Sequence, residues 1–273
     1  RTAGLTPGVR RLGIQPGDGA QPKSLEAFAA TLAKQPLIAD PGTEWAYSVS
    51  IDLLGAIIQK VSGQPLETFL EERIFTPLGM EDTGFIVPKA DSDRLTTNYI
   101  VAGAMPLPFP LPVADGTLVP IDGPPNSEYN DPAPYPSGGG GLASTGEDYI
   151  AFMRAVANGG MFEGRQVLPR AAIDMAVSNL LPDGVSYGTE GIADVGGGSE
   201  GYGAGGRVSL NEGPLNSYGW GGAAGTLASA LPEIGTGVVL MTQYFPQQAY
   251  PLPREFREAL VADTTAAMTA SAN

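Results

Sequence analysis

Two periodicities divide this chain, and their order restricts the folds open to it. Apolar residues recur at helical spacing up to about residue 180, whereas from Gly201 onward the segments 206–210, 217–221, 226–231 and 237–244 read as strands. The last two, joined through Pro232-Glu233-Ile234-Gly235, read as a hairpin. Helices first and antiparallel strands later indicate an α+β fold. The expected organisation is a helical region over 1–200, holding a Pro-rich insert at about 90–141, and a region over 201–273 of strands and a final helix.

The helical half can be read in pieces. Ser24 caps a helix predicted over 25–34, with Leu25, Phe28, Ala29 and Leu32 on one face and Pro36 as its stop. The strongest pattern covers 51–62, where Leu53, Leu54, Ile57, Ile58 and Val61 predict a buried stripe and Gly63 ends the helix. A third helix is expected over 66–75, ended by Pro77 and Gly79. Ser144-Thr145-Gly146-Glu147 is a capping-box pattern ahead of Ile150, Phe152, Met153 and Val156, closed by Asn158-Gly159-Gly160. Pro169 opens another helix towards Leu180, and the last, over 253–263, carries Phe256, Leu260 and Val261 at core spacing. The insert shows little periodicity. A linker is its simple reading, but Leu107, Phe109, Leu111, Tyr129 and Tyr135 favour a packed loop, a lid or rim of a cleft.

Composition excludes whole classes of chemistry. Histidine and cysteine are both absent, which removes a Ser-His-Asp triad within the chain, cysteine nucleophiles, disulfides and Cys-ligated zinc. No metal or other cofactor is expected. The formal net charge of −14, without a Lys/Arg cluster, argues against nucleic acid as a partner and otherwise reads as solubility. No apolar run is long enough to span a bilayer. The compartment stays open between cytoplasm and periplasm.

Trp220-Gly221-Gly222, on a segment of strand character, places a ring beside backbone that a ligand can approach closely; tight strand packing is the other reading of the glycines. Together with further blocks this element carries a resemblance. Pro41-Gly42-Thr43, Tyr47-Ser48, the run from Asp52 to Ile58, Ile74-Phe75-Thr76-Pro77-Leu78-Gly79-Met80-Glu81-Asp82-Thr83, and Gly138 to Thr145 occur in the order found in class C β-lactamase-like serine hydrolases. Trp220-Gly221-Gly222 resembles the corresponding element of the family VIII carboxylesterases. The resemblance runs from Thr2-Ala3-Gly4-Leu5 to the C-terminal helix. It implies a β-lactamase/transpeptidase-like fold, an antiparallel sheet flanked by helices plus a mostly helical region.

It also implies acyl transfer through a Ser-x-x-Lys nucleophile completed by a tyrosine, here Tyr47. A free phenol is only about one part in a thousand ionised at neutral pH, and a neighbouring ammonium could supply the roughly 4 kcal/mol needed to ionise it. On its residues alone, Tyr47 reads first as a buried ring with a bonded hydroxyl, and the resemblance reverses that order. The resemblance assigns Ala223 N–H to the oxyanion hole and Trp220, Gly221 and Gly222 to the substrate. Three departures matter. Val49 replaces the motif asparagine, and Trp220-Gly221-Gly222 replaces Lys-Thr-Gly, which favours neutral esters over lactams. The lysines are Lys23, Lys34, Lys60 and Lys89, and none stands three residues after a serine. The resemblance therefore implies that the nucleophile and first strands lie upstream of Arg1.

A cleaved or truncated enzyme, one half of a complementing pair, and a product without catalysis all fit that absence. The expected function is a carboxylesterase acting on small esters through a Ser-Lys-Tyr acyl-enzyme. Its partners would be a small-molecule ester and the chain's own N-terminal fragment. The alternatives are an amide, β-lactam or D-amino-acid peptide hydrolase, and an inactive binding protein of the same fold.

Overall fold

The computed structural model describes residues 22–47, 49–104, 113–131, 133, 135–188, 200–211, 213 and 215–271. The Thr2-Ala3-Gly4-Leu5 block, Ser48 and the apolar residues Leu107, Phe109 and Leu111 of the insert lie outside these residues. Helix α1 (Leu25–Leu32) opens at Ser24, whose side chain accepts from Ala27 N–H, and buries Leu25 and Phe28. Helix α2 (Ser50–Ser62) ends at Gly63, which takes φ 72°. Helix α3 (Leu66–Leu70) continues through a π turn at Glu71–Phe75 into α4 (Thr76–Leu78) and stops at a left-handed Gly79.

The expected stripe of α2 faces the wrong way for a core. Leu54, Ile57 and Val61 are 48%, 47% and 82% exposed. The buried residues of α2 are Asp52 and Gly55 on the opposite side. A Cβ at Gly55 would come 2.9 Å from Leu66 Cδ2 and 3.3 Å from Leu25 Cδ1, so the glycine lets α1 and α3 approach the helix axis. Close backbone approach has selected the small side, and the bulky one faces out.

The main sheet is antiparallel in the order β5-β6-β7-β8-β9: Glu200–Tyr202, Arg207–Ser209, Tyr218–Gly221, Leu227–Leu231 and Thr236–Leu240. The predicted hairpin is β8–β9, but the strand expected over 237–244 breaks into two. Its end, β10 (Tyr244–Phe245), joins a second sheet of order β10-β1-β2. Strands β1 (Asn98–Val101) and β2 (Leu118–Asp122) lie in the Pro-rich insert, which is therefore a packed element and not a linker. Pro120 is accommodated because β2 is an edge strand. A short hairpin, β3 (Met161–Phe162) and β4 (Arg165–Gln166), was also outside the periodicity reading.

Helix α5 (Gly146–Ala157) lies against β8 and β9, burying Met153, Val156 and Ala157 against Ala228 and Ala230. Helix α6 (Arg170–Ala176) adds Ile173. Thr145, and not Ser144, caps α5, accepting from Asp148 N–H. Asp148 is buried and accepts from Asp82 N–H at 2.8 Å and Thr83 Oγ1 at 2.8 Å. Helix α7 (Leu252–Ser271) is longer than expected and does not bury its predicted face: Phe256 and Leu260 are half-buried and Val261 is exposed. Among the described residues no helix is long and apolar enough to cross a membrane.

Asp148 supplies a charge at the positive end of α5 and satisfies two donors in the preceding loop. Asp148→Ala should cost about 3 kcal/mol by urea denaturation; a loss below about 0.5 kcal/mol would remove this anchor from the account.

Candidate functional site

Tyr47 sits on the extended segment that leads into α2 and lies over Trp220 of β7, with ring centroids 6.1 Å apart and planes at 17°. The two residues that the Tyr-Ser and Trp-Gly-Gly blocks singled out are thus brought together. Trp45, two positions earlier on the same extended segment, has its centroid 6.5 Å from that of Tyr47. Its other neighbours are Tyr187 at 4.7 Å and Tyr202 at 5.5 Å, both edge-on. Sequence reasoning passed over Trp45, Tyr187 and Tyr202. The Trp45-Ala46-Tyr47 alternation was a usable signal for two rings on one side of an extended segment; Tyr187 and Tyr202 gave none.

Asp52 fixes the approach to Tyr47. Its Oδ1 accepts from Ser137 Oγ at 2.6 Å and more distantly from Gly139 N–H at 3.4 Å, which holds the glycine run against the first turn of α2. A Cβ at Gly138 would stand 2.6 Å from Ile51 O, so that contact requires glycine. Burial first, and then the charge of Asp52, raise the Tyr47 pKa above the ordinary 10.0. The hydroxyl is therefore protonated at neutral pH, and it becomes a proton acceptor only beside a cation. Among the described residues the charge acting on Tyr47 is negative. Val49 begins α2 without a side-chain capping bond.

The end of β7 is closed by a turn with one loose donor. Gly222 N–H donates to Thr226 O at 2.8 Å, and Gly225 N–H to Gly222 O at 3.1 Å. Ala224 O accepts from Thr242 Oγ1 at 2.8 Å and Tyr244 N–H at 3.1 Å. Ala223 is exposed, and its N–H finds no acceptor among the described residues. The glycines divide in character. A Cβ at Gly222 would collide with Thr226 Oγ1, and one at Gly219 with β8, so these follow the packing reading. At Gly221 a Cβ would meet only Gln247 Oε1 at 3.7 Å and Thr226 O at 3.8 Å, which is ordinary contact. The protein's own packing does not require glycine there.

A family model described as Beta-lactamase matches residues 2–263. The chain belongs to the beta-lactamase family. Esterase EstB of Burkholderia gladioli is 29% identical over 268 residues, covering 92% of this chain and 63% of that protein. Lovastatin esterase of Penicillium rubens is 31% identical over 188 residues, covering 65% of this chain and 44% of its own length. The solved structure of EstCE1, a hydrolase with promiscuous acyltransferase activity, is 28% identical with a TM-score of 0.66, over 91% of this chain and 65% of that one. A penicillin-binding protein homologue from Caulobacter crescentus shares the fold at TM-score 0.64 and 22% identity, covering 87% of this chain and 64% of its own. The beta-lactamase/transpeptidase-like α+β fold expected from sequence is the one observed. The chain spans less than two thirds of the length of each of these relatives.

Several tyrosines of this region hold their protons tightly. Burial pushes Tyr187 and Tyr218 each up to about 12. Unfolded tyrosine ionises near 10, so the folded state gains nothing from this below pH 10 that it does not already have. Above pH 10 the unfolded chain ionises first, and stability is lost as pH climbs towards 12. The urea midpoint should be flat to about pH 9.5 and fall between about 10 and 12, with a late step in tyrosinate absorbance at 295 nm. Titration of all 10 tyrosines together near pH 10 would contradict this environment.

Proposed function

We propose that this chain forms most of a serine esterase that cleaves small neutral esters through an acyl-enzyme, with its Ser-x-x-Lys nucleophile outside residues 1–273. The observation that carries the reading is the unclaimed Ala223 N–H in the turn just beyond β7, the strand whose Trp220 stacks on Tyr47. A fixed N–H aimed at developing charge is worth roughly 3–4 kcal/mol in an acyl-transfer transition state. Relatives named as esterases or as a hydrolase support the same class.

In this mechanism the serine hydroxyl attacks the ester carbonyl and its proton passes to Tyr47, held as phenolate by the lysine ammonium. Ala223 N–H and the serine's own N–H hold the oxyanion. Collapse expels the alcohol, which takes the proton back through Tyr47; water then releases the acid by the same steps. Protonation of Tyr47 in the present surroundings supports a requirement for that cation. Neutral substrates are favoured because Val49 offers no side-chain hydrogen bond and Trp220 stands where a cation would meet a substrate carboxylate. The exposed stripe Leu54, Ile57 and Val61 supports docking of the serine-bearing segment on α2, since three large apolar residues at i, i+3 and i+7 form one face.

Two substitutions test this in the protein that carries the nucleophile. Tyr47→Phe should lower kcat/KM for a nitrophenyl ester by roughly 10²–10⁴-fold; unchanged turnover would remove the phenol from proton transfer. Gly221→Ala should keep the thermal midpoint within a few degrees and yet reduce hydrolysis at least about tenfold, because the space it fills is left to the substrate. Full activity in that variant would show that substrate does not approach β7 at Gly221.

A further inference from the structure

Tyr47 and the four aromatic rings of Trp45, Tyr187, Tyr202 and Trp220 form one continuous surface, and its arrangement specifies what it can hold. Tyr187 and Tyr202 stack at 6.1 Å and 15°, as Tyr47 and Trp220 do at 6.1 Å and 17°. The two pairs meet edge to face: Tyr187 and Tyr202 lie 6.4 Å and 5.9 Å from Trp220, at 79° and 87°. Trp45 closes the group against Tyr187 and Tyr202. A guest sandwiched between parallel rings needs about 7 Å between their centroids, two contact distances of roughly 3.5 Å. Neither stacked pair leaves that gap, so this is no hollow cage for a cation. It is a platform.

All five rings nevertheless remain partly exposed, and Tyr47 is 41% exposed. Five large rings that pack on each other without complete burial leave apolar faces and edges in water next to the Ala223 turn. The cation that acts on Tyr187 of the platform is already matched by a carboxylate. Arg207 Nη1 meets Glu200 Oε1 at 3.0 Å, with both side chains largely buried, and these are the charged groups that act on Tyr187. Among the described residues the platform therefore offers stacking and no uncompensated cation for a carboxylate.

We propose that Trp45, Tyr187 and Tyr202, with Tyr47 and Trp220, form a stacking subsite for a planar aromatic group of a neutral ester, a sixth ring added to the existing five. This rests on the esterase reading and names its substrate class. Ring-on-ring contact favours an aromatic guest over a saturated one of equal size, and these residues set that preference without touching the reacting carbonyl.

The chain contains two tryptophans, Trp45 and Trp220, and both belong to the platform, so tryptophan emission reports occupancy directly. The probes are two inert amides that mimic esters, N-benzylacetamide and N-(cyclohexylmethyl)acetamide. Titration of the full-length protein, excited at 295 nm, should give a saturable change with the benzyl amide and an affinity roughly two- to tenfold weaker for the cyclohexyl amide. Tyr187→Leu, with near-ultraviolet circular dichroism confirming the fold, should erase that difference by weakening the benzyl amide alone. Trp45→Phe keeps a ring in place and should retain the preference, reported by Trp220. Equal affinities in the parent protein, or no saturable change with either amide, would overturn the proposal. Saturable, aromatic-selective binding combined with no ester hydrolysis by the protein that carries the nucleophile segment would instead overturn the esterase reading and leave the subsite standing.

Discussion

Helix α5 lies so close to β9 that a methyl group at Gly237 would sit 2.8 Å from Arg154 N and 2.8 Å from Met153 Cβ. That approach, sealed by Ala230 and Val156, places the sheet and the start of α5 in one rigid relation. Asn158 at the other end of the helix donates to Gly235 O at 2.9 Å and fixes the β8–β9 turn. From the first turn of α5, Asp148 holds Asp82 and Thr83, and the next residue, Gly84, bridges to Ala143. The glycine turn before Ala143 reaches Asp52 and so the segment bearing Tyr47. A series of short contacts therefore links the helix–sheet core to both halves of the site. Tyr47 arrives from the helical side and Ala223 from the sheet.

The electrostatics of this site are lopsided in an informative way. Every resolved influence on Tyr47 keeps its proton on: burial and the Asp52 carboxylate act in the same direction. A phenol so placed is a poor base until a positive charge is set against it. At the turn beyond β7, in contrast, Gly222 N–H, Gly225 N–H and Ala224 O are bonded within the chain, and the exposed Ala223 keeps an N–H without an acceptor among the described residues.

The fold was legible where a pattern is local. Ser24, Gly63 and Gly79 mark helix ends for reasons of capping and backbone conformation, and each does so in the structure. The stripe on α2 misled because periodicity identifies an amphipathic helix without saying which face meets the core. Gly55 and Asp52 win the inner side through close approach and hydrogen bonding, neither of which a hydrophobic pattern records. Strands β1, β2 and β5 escaped because they are three to five residues long, and β2 and β5 are also interrupted, by Pro120 and Gly201. At the site, Tyr47 and Trp220 were singled out through the resemblance, and their rings stack in the structure. The ring surface around it did not, because Tyr187 comes from a loop and Tyr202 from a three-residue strand.

Covalent labelling of the intact gene product addresses the central claim most directly. A fluorophosphonate should modify one serine, and peptide mapping should place it three residues ahead of a lysine and outside these 273 residues. A label on any serine between Arg1 and Asn273, or an active ester-cleaving protein that takes up no label at all, would contradict the account.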